Sequence, residues 1–157
     1  MKTISKQKEM SDLFNVPYST ITSWHRSQSR LGYVELLNLA YSRLCFGDLD
    51  FDSLSSESLI SASQKLGFHN PLSLTLCVKS RTFRNWYNDP EHHKLCLAML
   101  IGHQSALLNE LLENIERATT FEQLTEKVAS LNITVGELVE SLISCRVTTT
   151  KLVNSLF

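Results

Sequence analysis

The sequence predicts an all-α fold in which two units of one plan (helix, tight turn, helix) stand in tandem ahead of a C-terminal helical block. Three observations predict it. Apolar residues, Leu above all, recur at three- and four-residue spacing. Only five Gly and three Pro occur in 157 residues, so there is little turn chemistry for hairpins. One pattern, V-x-x-x-T-[IF]-x-x-W, occurs twice. A hydrophobic fraction of 43% is enough for a real core at this length.

The first unit opens with an amphipathic helix over Ile4–Phe14, with Ser5 as its N-cap. Asn15 tolerates the left-handed conformation that ends a helix, and Pro17 suits the start of the next. A second helix follows over Tyr18–Ser27, with Ile21 and Trp24 facing inward. A third, over Tyr33–Phe46, carries Val34, Leu37, Ala40, Tyr41 and Leu44 as a stripe able to cover the first two. Gly47–Ser55 is acidic and rich in turn residues and reads as a linker.

The plan then recurs. A helix over Ser58–Leu66 closes at Gly67, and Pro71 opens a short apolar helix to Cys77. Val78 and Lys79 turn the chain into a helix over Ser80–Asn88 with Phe83 and Trp86 inward. Asp89 and Pro90 start another that runs to about His103. Val16–His25 and Val78–Tyr87 align at an offset of 62 residues, which stacks Ile21 under Trp24 and Phe83 under Trp86 on one helix face. Duplication accounts for this better than chance.

The remainder is leucine-rich. Leu107, Leu108, Leu111, Leu112 and Ile115 form a broad apolar face. Thr120 with Gln123, and Thr134 with Glu137, read as capping boxes for two further helices, and Thr148 or Thr149 caps a last one. This is more apolar surface than short helices can hide, so residues 105–157 are expected to pair with a second copy; capping the chain's own core is the alternative. The domain reading is a first unit 1–46, a linker 47–55, a second unit 56–104 and a dimerisation region 105–157.

The net charge of −1 conceals an alternation. Residues 1–46 carry Lys2, Lys6, Lys8, Arg26, Arg30 and Arg43 against three acids, and residues 64–104 carry Lys65, Lys79, Arg81, Arg84 and Lys94 against two. Residues 47–63 hold four acids and no base, and residues 105–157 hold seven Glu against four bases. Two separated basic modules suit a surface that contacts phosphates at two places.

Around LFNVPYSTITSWHRS the chain resembles the helix-turn-helix DNA-binding domains of phage repressors and Cro-like proteins. The resemblance covers Met10–Ser27 and, more loosely, Leu72–Asn88. It implies a recognition helix lying in the major groove with its first turns against base edges. By position, Tyr18, Ser19, Thr22 and Ser23 would face bases in the first unit, and Ser80, Arg81, Arg84 and Asn85 in the second. His25, Arg26 and Lys79 would reach phosphates. The chemistry of the second set agrees, since Arg bonds guanine and Asn bonds adenine in bidentate fashion. The segment LNITVGELVESL superposes loosely as a third copy, but Glu137 and Glu140 would repel phosphate there.

Other chemistry finds little support. His92, His93 and Cys96, with His69 or His103, fall close in sequence but match no zinc spacing, and solvated histidines explain them better. There is no nucleophile elbow, phosphate-binding glycine loop or HExxH motif, so neither an enzyme nor a cofactor is expected. Trp24 and Trp86 could stack on unpaired bases, yet their spacing favours burial. The cysteines Cys45, Cys77, Cys96 and Cys145 lack CxxC pairing and read as small core hydrophobes in a reducing compartment. No membrane-length apolar stretch or secretory leader is read. The expectation is a cytoplasmic, nucleoid-associated regulator of transcription, a repressor of the phage or mobile-element type, binding double-stranded DNA as a homodimer on operator half-sites. The alternatives are a protein-interaction module that binds a host complex, and a structural DNA-binding component for packaging or partition.

Overall fold

A computed structural model describes residues 5–117, except 46 and 48, together with residue 126. Those residues form seven α-helices and no strand. The expected capping boxes at Thr120 and Thr134, the last cap at Thr148 or Thr149, the loose third copy and Cys145 lie outside the described residues, as does most of the expected dimerisation region.

Helix α1 spans Lys6–Phe14, and Ser5 caps it by accepting from the Lys8 amide at 3.4 Å. It ends as its sequence demands. Asn15 takes φ 54°, and its amide donates back to the Ser11 carbonyl. The Ser11 hydroxyl, buried, donates to the Val16 carbonyl at 2.7 Å and fastens the turn from inside. Helix α2 spans Tyr18–Arg26, and a 3₁₀ turn at Gln28–Arg30 leads into α3, Leu31–Cys45. Val34, Leu37 and Ala40 of the expected α3 stripe are buried, and Tyr41 and Leu44 half-buried against the core.

The second half departs from its expected plan in three places. Within the acidic stretch read as a linker, Phe51–Ser55 forms helix α4, with Asp50 accepting from the Ser53 amide at 3.1 Å. Phe51 and Leu54, three apart, turn inward, and Phe51 meets Phe14 edge-on at 5.6 Å. Helix α5, Leu59–Lys65, is capped by Ser58 and closes at Gly67 with φ 88°, as the sequence indicates.

The apolar helix expected over Pro71–Cys77 is not formed. Pro71–Ser73 make one 3₁₀ turn, and Leu74 is already extended at φ −71°, ψ 142°. Leu72, Leu74 and Leu76 pack against the core and Val78 is buried, while Ser73, Thr75, Cys77 and Lys79 face out. That is burial with a period of two, the signature of extended backbone rather than of a helix. The tight helix-turn-helix junction expected ahead of the second repeat helix is therefore replaced by an extended approach.

Helix α6 spans Ser80–Tyr87. Asp89 then caps a 3₁₀ turn at Pro90–His92, accepting from the Glu91 amide at 3.0 Å, and α7 runs from His93 to Arg117. It passes His103 without a break. Every residue from Leu95 to Ile101 is buried, so α7 is wrapped on all sides there, chiefly by α3. One apolar core runs from Met10 to Ile101 and draws on all seven helices. Cys96 belongs to it, but Cys45 and Cys77 are exposed and are not core residues.

Candidate nucleic-acid interface

The repeated sequence produces a repeated local structure. The residue before each helix, Pro17 and Lys79, has almost the same backbone: φ −54°, ψ 134° and φ −57°, ψ 130°. Val16 and Val78 are buried alike, and so are Ile21 and Phe83. Trp24 is buried and Trp86 half-buried. The helices are therefore equivalent amphipathic rods laid on one core, with their x positions outward.

All eleven positions proposed for DNA contact lie on those outer faces or just before them. Tyr18, Ser19, Ser23, His25 and Arg26 of α2 are exposed, and so are Lys79, Ser80, Arg81, Arg84 and Asn85 at α6. Thr22 is half-buried, and its hydroxyl donates to the Tyr18 carbonyl at 2.9 Å, which leaves that oxygen free only to accept.

Charge and capping distinguish these two helices. No Asp or Glu occurs between Asp12 and Glu35, or between Glu57 and Asp89. The N-termini of α1, α4 and α5 are closed by the side chains of Ser5, Asp50 and Ser58. Those of α2 and α6 begin at Pro17 and Lys79, neither of which makes a side-chain cap. No side chain therefore caps the first-turn amides of either helix, although the Thr20 amide donates to the Pro17 carbonyl at 2.9 Å. Arg30, counted in the first basic segment but not among the contact positions, is exposed at the end of the 3₁₀ turn that packs on α2.

The two helices are joined through their tryptophans. The Trp24 and Trp86 rings lie 5.8 Å apart, and Tyr33 of α3 stands edge-on to both, at 5.2 Å and 5.8 Å. Trp86 also stacks on His92 at 6.2 Å, and His92 Nδ1 pairs with Asp89 at 2.8 Å. The Glu91 amide and His92 together hold the Asp89 carboxyl below the usual carboxylate range. Trp24 is buried and Trp86 is half-buried in contact with Trp24, Tyr33 and His92, so these rings tie α2 and α6 to α3.

Among the described residues no three of His, Cys, Asp and Glu gather in a cluster able to hold a metal. His103 packs on Phe68 at 5.9 Å, and its burial lowers its pKa. Burial likewise raises the Cys96 thiol to about 12, which makes it a poor nucleophile. A surface groove of about 460 Å³ at the start of α7 is lined by Asp12, Asn15, Glu91, His93 and Lys94, a mixed-charge set with no evident preference for one ligand sign. No helix among the described residues is long and apolar enough to cross a membrane. No protein-family model, curated protein or solved structure matches the chain.

Proposed function

We propose that this chain is a sequence-specific double-stranded DNA-binding regulator of transcription, contacting the duplex through the outer faces of α2 and α6. The observation that carries the reading is the pairing of these helices. Both leave their N-terminal amides without a side-chain cap, and both present hydroxyl and cationic side chains, α6 also the Asn85 amide, from segments free of carboxylates. Such N-termini suit phosphate oxygens, because N–H groups and helix dipole act together on an anion. Arg26, Arg30 and Lys79 supply further phosphate contacts. Arg81 and Arg84 suit the O6 and N7 of guanine, and Asn85 suits adenine. Tyr18, Ser19, Thr22 and Ser23 offer hydroxyls that position more than they specify.

A homodimer formed through residues 105–157 places two such faces on an operator, and occupancy of a promoter then represses it by excluding polymerase. Selection of bound duplexes from a random pool tests the reading: a consensus containing guanine is expected. Arg81→Ala and Arg84→Ala should each weaken binding to that consensus by about 1–3 kcal/mol and relax the preference at one position. Recovery of no consensus, with both variants equal to the parent, overturns it.

A further inference from the structure

We infer that one chain occupies a single groove segment of a duplex, so that the duplicated helices serve one half-site together rather than two half-sites in tandem. This rests on the DNA-binding reading above and specifies how that surface meets its partner. Two recognition units on one chain leave open whether they read one half-site or two. The aromatic contact decides between them.

Trp24 and Trp86 are 5.8 Å apart, and Tyr33 fixes both from a third helix. Side chains reach about 5–6 Å from a helix axis, and each residue adds about 1.5 Å along it. Trp24 lies two residues from the centre of α2, and Trp86 lies within three of the centre of α6. The helix centres are therefore separated by at most about 25 Å in any orientation. Recognition helices that enter successive major grooves on one face of a duplex sit about 34–36 Å apart, centre to centre. A single chain cannot span that interval without breaking the contact among three packed aromatic rings.

With both helices on the duplex, as proposed above, surfaces this close meet one groove segment and its flanking phosphates, and a second half-site needs a second chain. The test combines hydroxyl-radical footprinting with native mass spectrometry of the full chain on duplexes recovered from the random pool. The expected result is one chain per protected segment, with operators holding two segments a helical turn apart loading two chains. A complex in which one chain protects two segments centred about 10 bp apart would overturn the inference and leave the DNA reading intact. Failure to bind any duplex at low salt removes the DNA reading, and the inference with it.

Discussion

Replacing Gly102 by Ala sets two opposing effects against each other, and the geometry decides the sign. On helix propensity alone the change should stabilise α7 by about 1 kcal/mol. A Cβ at Gly102, however, would lie 2.8 Å from the carbonyl carbon of Leu36 and 2.9 Å from its Cα, and nearer still to its carbonyl oxygen. All three atoms are backbone, so no rotamer change relieves the overlap. Helices α3 and α7, which share the most extensive helix–helix contact among the described residues, would have to separate. Overpacking of a filled core costs about 1–3 kcal/mol, and a clash with backbone belongs at or beyond the upper end. After the propensity gain, a net loss of about 2 kcal/mol remains, which in a chain of this size lowers Tm by about 4–8 °C. Thermal unfolding followed by circular dichroism measures it. Trimming the Leu36 side chain to Ala should not rescue the variant, since the atoms met are not in that side chain. A Tm equal to or above the parent's would show that α3 and α7 do not approach backbone to backbone there.

Three further outcomes are expected. Trp24→Ala should cost about 3–5 kcal/mol in urea denaturation, and Trp86→Ala distinctly less, because its ring is only half-buried; equal losses would contradict the asymmetry. His103 binds a proton less readily folded than unfolded, because burial lowers its pKa from about 6.5. The stability this leaves above that value falls away as pH drops below it. His103→Gln should accordingly flatten the urea midpoint between about pH 7 and pH 5, and an unchanged slope would refute that assignment. Arg26→Ala and Lys79→Ala should weaken duplex binding uniformly across sequences and each reduce the salt slope by about 1, whereas an altered consensus would place them at bases instead of phosphates.

Much of this architecture was legible in residue spacing. Ser5, Asn15 and Pro17 mark the first turn because cap chemistry is local, and Ile21–Trp24 and Phe83–Trp86 mark their helices because three-residue spacing of large apolar groups is hard to read otherwise. The approach to α6 was misread. In Leu72–Leu76, LSLTL, apolar and polar residues alternate, which favours extended backbone, whereas Pro71 and the apolar run Leu76-Cys77-Val78 are equally compatible with a short helix. Phe51 and Leu54 were hidden among aspartates, since a five-residue helix offers a single i, i+3 pair. The helix expected to end near His103 runs on to Arg117, and Gly102 within it has no side chain to obstruct the approach of the Leu36 backbone.

The outward site residues follow from the same helix periodicity that buries the tryptophans. What the sequence could not show is that the two tryptophans meet, because contacts across 62 residues depend on how α3 and α7 assemble the core. Nor was the shared absence of a side-chain cap at Pro17 and Lys79 apparent until both backbones were placed.

The central claim is that α2 and α6 form a cationic surface for duplex DNA. Its most direct test is the anisotropy of a labelled duplex titrated with the full chain while salt is raised from about 50 to 200 mM. With Arg26, Arg30 and Lys79 neutralising phosphates, log affinity should fall against log salt with a slope of about −3 per chain. An unchanged anisotropy at the lowest salt would contradict the account.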